Sequence, residues 1–241
     1  MRRERAYTEG MKMPGVWVPL VLYLGMMGGV VARAQEQAPT AANGVESVWM
    51  HDLATRHEEL IKRNGLGTDA VLRAKLVAMN ASDQEARGAG TGQTYTAKTA
   101  EVDKQLTAEL KQIVARYGWP TIAMVGMDAS NDAMTVLTHT PDHVWQRSML
   151  PRLEELAAKG KIDGSTLATV VDKELVSEGK LQRYGTQFKF LDGKMAMYAV
   201  EDPAGLDARR ATVFLMPIKV YEGMLEQAYH LKVSDTVVKA K

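Results

Sequence analysis

The 241-residue chain contains no cysteine, which excludes a disulfide framework, thiol catalysis and a lipid-modified cysteine anchor. A positive surplus is also missing. Thirty Lys and Arg stand against 29 Asp and Glu, so the basic excess that dominates nucleic-acid affinity is absent, and no Lys/Arg cluster suits an anionic membrane surface. No glycine-rich phosphate loop leads into a lysine, and no repeat divides the chain. Ser148, Ser165 and Ser177 lack a Gly-x-Ser-x-Gly setting, so no nucleophile is nominated.

No apolar run reaches the about 20 residues of a transmembrane helix. The longest, Val16 to Val31, has 16 residues and contains Pro19, Gly25, Gly28 and Gly29. It follows a basic start in which Arg2, Arg3, Arg5 and Lys12 outnumber Glu4 and Glu9, and it precedes the small-x-small triplet Ala32-Arg33-Ala34. This is the three-part layout of a secretory signal peptide. Residues 1–34 are therefore expected to be removed and the mature chain exported to the periplasm or beyond, with an uncleaved N-terminal anchor as the alternative. Met11 or Met13 as initiator would leave a more conventional basic region. Cleavage removes five of the 30 Lys and Arg and two of the 29 acidic residues, leaving a formal charge of −2. The rest of the chain is long enough to bury a core as one domain. Neither a cofactor nor a metal is expected, and no membrane contact is expected after cleavage.

Residues 35–44, rich in Gln, Ala, Thr and Pro, read as a tether before a domain over 45–241. From there the periodicity is mostly helical: helices are expected over about 46–62, after a Thr68 N-cap with Leu72, Leu76 and Met79 on one face, and along Val102, Leu106, Leu110, Ile113 and Tyr117 up to Gly118. The stretch Gly88 to Thr96 reads as an exposed loop. Further helices are expected over 130–137, over 141–159 with Pro151 kinking it, and over 166–178. The period then changes to two: runs over 187–191 and 194–200 flank Asp192-Gly193, a strong hairpin signal. Helical segments over 207–215 and 217–231 close the chain. The expected fold class is mainly α, a single-domain helical bundle with one β-hairpin, with α+β as the alternative.

Several polar residues fall where the stripes call for apolar ones. Asp83 continues the line of Leu72, Leu76 and Met79, with Arg87 a turn later; Gln146 lies with Leu150, Leu153 and Ala157; Asp172 borders the face of Ala168, Val171 and Leu175. A buried carboxylate needs a partner or becomes neutral. The plain alternatives are an intrahelical Asp83–Arg87 pair, a backbone-bonded Gln146 amide and a solvated edge at Asp172. His139 and His143 have the i, i+4 spacing that holds zinc on a helix, but Pro141 between them argues against a continuous helix. His51, His57 and His230 have no companion pattern. The run Gln182-Arg183-Tyr184-Gly185-Thr186-Gln187 gathers five hydrogen-bonding side chains around one glycine, at which a Cβ is expected to be opposed.

Gly118-Trp119-Pro120-Thr121 with Gly126, then His139, Asp142 and Gln146, then Ala168 with Asp172-Lys173, then Gln182-x-Tyr184-Gly185-Thr186-Gln187, flanked by Asp83-Gln84-x-x-Arg87 and Asp207-x-Arg209-Arg210, resemble the bacterial family called domain of unknown function 6624. The likeness spans about residues 72–222, and its specificity lies in the order of the motifs. Lys173 stands where that family more often has Arg. The resemblance implies no activity, but it selects the same out-of-place polar residues.

The favoured expectation is a polar pocket of Asp83, Arg87, His139, Gln146, Asp172, Gln182, Tyr184 and Thr186 that binds, and in one version hydrolyses, a small polar or anionic molecule. His139 is the candidate acid/base because its pKa lies nearest neutrality, and Arg87 the candidate anion holder. The alternative is a non-catalytic structural or interaction module whose polar cluster fixes the fold.

Overall fold

The computed structural model describes residues 41–88 and 96–240, with side chains described from residue 51. The expected signal peptide, tether residues 35–40 and loop residues 89–95 lie outside the described residues. The elements in chain order are α1 (Ala41–Asn64), α2 (Ala70–Ala86), α3 (Ala97–Tyr117), α4 (Ile122–Val125), α5 (Met127–His139), α6 (His143–Ala158), α7 (Gly164–Ser177), β1 (Phe188–Leu191), β2 (Lys194–Tyr198), α8 (Leu206–Thr212), α9 (Ile218–Tyr229) and β3 (Val233–Val238). The protein is mainly α with a small sheet at its C-terminal end.

Local chemistry sets the boundaries. α2 starts one residue later than the Thr68 signal suggests, because Asp69 is the cap and accepts from Leu72 N at 2.8 Å. Thr96 and Thr99 form a capping box at the start of α3, and Gly118 ends it. The extended backbone of Thr140, imposed by Pro141, separates α5 from α6. Asp142 caps α6 at Trp145 N, and Asp163 caps α7 at Ser165 N. α1 reaches back to Ala41, so the last residues of the expected tether are helical.

α5 is the central element and packs against α2, α3, α4 and α7. Its Ala133, Met134 and Leu137 meet Leu76, Leu110, Leu153 and Val170 in the main core, all at most 1% exposed. Burying each large aliphatic side chain there contributes about 1.5–3 kcal/mol. A second core lies between the sheet and α9, where Phe188, Met195, Met216, Tyr221 and Leu225 pack together. The link before α2 crosses α4 so closely that a Cβ on Gly67 would lie 2.4 Å from Gly126 N. Only glycine fits there.

Asp192 and Gly193, both at positive φ, make the hairpin turn between antiparallel β1 and β2. The sheet has a third strand that the sequence reading assigned to no element. β3 pairs parallel to β2, with Met195 opposite Val233 and Ala196 opposite Ser234. Its burial pattern does not alternate cleanly, because four of its six residues are polar or exposed.

Candidate functional site

The first polar group lies where the C-terminal ends of α2 and α5 meet the N-terminal half of α3. Asp83 is 1% exposed, because it occupies the core-facing stripe of α2. Its Oδ1 lies 2.8 Å from His139 Nδ1, and its Oδ2 accepts from Arg87 Nε at 3.2 Å. The pair is thus far more than a surface i, i+4 contact. Arg87 also donates from Nη2 to Asp103 Oδ1 at 2.5 Å. Asp103 was missed by the sequence reading, which phased the α3 stripe on Val102 and Tyr117. The buried line is Thr99, Asp103, Leu106, Leu110 and Ile113, while Tyr117 is 42% exposed.

Burial alone would raise the Asp83 carboxyl, but His139 and Arg87 hold it below the ordinary carboxylate range. His139 Nδ1 lies between two groups, 2.8 Å from Asp83 Oδ1 and 3.0 Å from Arg87 Nε; an ionised carboxylate only accepts, so the shorter contact assigns the ring proton to Nδ1. Arg87 Nε–H then serves Asp83 Oδ2. Burial drives His139 below the ordinary imidazole range, with Arg87 and Lys173 acting in the same sense against Asp83. The ring is therefore neutral near pH 7, and Nε2 carries a lone pair. That Nε2 is buried and has no hydrogen-bond partner among the described residues.

Lys173, on the neighbouring face of α7, donates to Thr138 O beside His139. Burial brings its amine down to about 8. Asp83 and Asp103 are then balanced by Arg87 and Lys173. Gln146 on α6 is fully buried and donates to Leu137 O at 2.6 Å, so it reaches the C-terminal part of α5, and its Oε1 has no partner among the described residues.

The second group is built around Asp172. This side chain is 0% exposed because the segment after α7 folds over it, so it is not a solvated helix edge. Arg183 N, Tyr184 N and Thr186 N donate to its carboxylate at 2.7, 3.0 and 2.9 Å, and Thr186 Oγ1 donates at 3.0 Å. Burial pushes the Asp172 carboxyl up, against these donors, which pull it down. The other side of the segment faces Arg210, also 0% exposed, which donates to Tyr184 O at 2.5 Å and Met216 O at 2.6 Å. The peptide N–H groups are thus turned to a buried carboxylate and a carbonyl to a buried guanidinium. Gly185 sits at φ +68°, and a Cβ there would meet Met197 Sδ, Ile218 and Leu206 at 3.3–3.4 Å. Gln182 closes the turn: its Nε2 donates to Tyr198 O at 2.6 Å and its Oε1 accepts from Gln187 N at 2.9 Å.

The structure therefore brings Asp83, Arg87 and His139 together, and separately Asp172, Gln182, Tyr184 and Thr186, with Gln146 at the end of α5. No hydrogen bond or ion pair joins the two groups among the described residues. They share α7, whose adjacent residues Asp172 and Lys173 serve one group each. His143 is drawn away from His139 to Glu174 at 2.8 Å. Among the described residues no three His, Asp or Glu side chains are grouped as a metal site requires. A groove of about 360 Å³ runs along the seam of α2 and α3, lined in part by Lys75, Met79, Ser82, Lys98 and Leu106, and contains none of the expected site residues.

Residues 70–234 match the family of unknown function DUF6624, well over half of the chain. The chain belongs to this family. No curated protein and no solved structure matches it. Both polar groups lie wholly within the DUF6624 span, whereas α1 precedes it. The most conspicuous DUF6624-like motif, Gln182 to Gln187, is the clamped turn around Asp172. The unpartnered imidazole nitrogen belongs to the less conspicuous motif at His139.

α1 is held to the DUF6624 region by a further buried carboxylate that the sequence reading did not find. Asp163 Oδ2 lies 3.2 Å from His57 Nε2 while its Oδ1 caps α7 through Ser165. Burial would raise this carboxyl, but His57 and Ser165 hold it low. His57 lies 106 positions away, so only the tertiary fold discloses this pairing.

Proposed function

We propose that the chain is exported and that its Asp83–Arg87–Asp103–His139 centre binds a small polar molecule, with His139 Nε2 as the contact atom. One observation carries the reading: a neutral imidazole, oriented through Nδ1 by a buried carboxylate, presents a buried basic nitrogen with no partner among the described residues. Buried polar atoms are otherwise almost always paired. Such a nitrogen accepts a hydrogen bond from a bound O–H group and is placed to take its proton, as a general base does. Arg87 fixes the carboxylate and does not act as a free anion clamp, because Asp83 and Asp103 already engage it. The basic–apolar–small layout of residues 1–34 supports export, and no helix among the described residues is long and apolar enough to cross a membrane.

The test is a thermal-shift screen of the mature protein against a metabolite library, with His139→Gln in parallel. A ligand at 100 times its Kd adds about 2.7 kcal/mol to stability. Shifts lost in His139→Gln support the reading, and shifts retained in full would exclude it. N-terminal sequencing of exported protein should begin at Gln35; intact residues 16–31 in a membrane fraction would favour the anchor.

A second reading, a structural or interaction module, is favoured by the Asp172 group, in which both carboxylate oxygens are filled by the protein itself. On that reading Asp83→Asn lowers stability and alters no binding.

A further inference from the structure

Helix α2 is poor in charge on its outer side. Its charged residues are Arg73, Lys75, Asp83 and Glu85; Arg73 turns to the carbonyls of Leu66, Gly67 and Val125, and Asp83 is buried. The side facing away from the core carries Ala70, Val71, Ala74, Val77, Ala78 and Ala81, all exposed, Val71 by 82% and Val77 by 48%. A surface helix ordinarily turns polar residues outward, and α3 does so with Glu101, Lys104 and Gln105. The apolar side of α2 borders the groove of about 360 Å³ shared with α3, which Met79, Val102 and Leu106 help to line.

The two charges that remain on this side indicate what covers it. Lys75 and Glu85 both line the groove and stand ten positions apart, about 15 Å along the helix. Lys75 makes only an exposed pair with Glu109 at 3.3 Å, which contributes little, and Glu85 has no ion-pair partner among the described residues. A partner of one sign would satisfy one end of this face and be repelled by the other. A second α2 laid antiparallel on the first satisfies both, because each Lys75 then faces the partner's Glu85. The same register sets Ala78 against the partner's Ser82. Val71, Lys75, Ala78, Ser82 and Glu85 recur at alternating steps of four and three, the spacing of a seam between helices, and small side chains at its centre let the two backbones come close.

We propose that this face is an isologous interface, on which a second copy of the chain packs its α2 antiparallel along the α2–α3 groove. The interface is independent of any binding at His139, since Asp83 lies on the opposite, buried side of α2.

The experiment is sedimentation velocity of the mature protein from about 1 µM to about 1 mM, with Ala78→Glu, Lys75→Glu and the double exchange Lys75→Glu/Glu85→Lys in parallel and far-UV circular dichroism as the check on folding. A concentration-dependent dimer is expected, monomeric in Ala78→Glu, weakened at least about tenfold in Lys75→Glu by two like-charge contacts, and restored in the double exchange. A wild-type monomer across the whole range overturns the proposal. A dimer that neither Ala78→Glu nor Lys75→Glu weakens overturns this surface as its interface, and a double exchange no tighter than Lys75→Glu overturns the antiparallel register.

Discussion

Asp172 and Asp83 are both helix-borne carboxylates, 0% and 1% exposed, yet they sit in unlike surroundings. Asp172 is held almost entirely by backbone N–H groups of a segment 11 to 14 positions further along the chain. Its partners cannot leave without unfolding the turn. Asp83 is held by side chains from the ends of two helices, and one of them, His139, keeps a second nitrogen without a partner among the described residues. A carboxylate bonded to the backbone of one segment fixes that segment, whereas Asp83 orients a ring that has a second nitrogen to offer. The difference separates a carboxylate enclosed by its own chain from one beside the proposed binding atom.

The largest break in that comparison is Asp172→Ala. It leaves three N–H groups, that of Thr186 buried, and a buried hydroxyl without their acceptor, which should cost about 3 kcal/mol, or about 6–12 °C in Tm for a chain of this size. A melting point within 2 °C of wild type, on the order of 0.5 kcal/mol, would show that Asp172 does not hold the turn. Gly185→Ala should cost about 1–2 kcal/mol, since alanine is strained at φ +68° and its Cβ meets three side chains. Calorimetry of both variants tests the clamp from its two sides.

At the other carboxylate the expected cost is smaller. His139→Gln keeps an N–H donor toward Asp83 and should destabilise by no more than about 1 kcal/mol, while abolishing ligand-dependent shifts in Tm. A loss as large as that of Asp172→Ala would place His139 in the same structural class. Asp132 on α5 sharpens the comparison further, because among the described residues one amide, Asn80 Nδ2 at 2.7 Å, and no cation stabilises its charge. Burial and the like charge of Asp128 push its carboxyl up to about 7. Its folded value lies above its unfolded one, so its contribution to stability is present below the ordinary carboxylate range and is lost as pH rises to about 7. Asp132→Asn should therefore melt with wild type near pH 4 and above it near pH 8. Equal melting curves at both pH values would count against this.

Much of the fold was legible because its signals are local. Gly118, Pro141 and Asp192-Gly193 act on residues within a few positions, and element ends fall close to them. Strand β3 was not legible: Val233, Ser234, Asp235 and Thr236 carry no period, and the strand exists because β2 offers a parallel edge. The site was half legible. Asp83, Arg87 and Gln146 announced themselves as polar residues on apolar stripes, and they are buried or partly buried as that pattern requires. Asp103 did not, because the adjacent Val102 drew the stripe one residue out of phase. The role of Asp172 was hidden for a different reason: its partners are peptide N–H groups, which every residue except proline possesses and no side-chain pattern reveals.

The central claim is that His139 is a neutral imidazole protonated on Nδ1, with the Nε2 lone pair unpartnered among the described residues. Two-bond 1H–15N correlation spectra of the ring nitrogens across pH 5 to 8 report this directly. The account predicts the pattern of the Nδ1–H tautomer at neutral pH, titrating below the ordinary histidine range and lower still in Asp83→Asn, since Asp83 favours the charged ring. An imidazolium at pH 7, or a proton on Nε2 in the neutral ring, would contradict it.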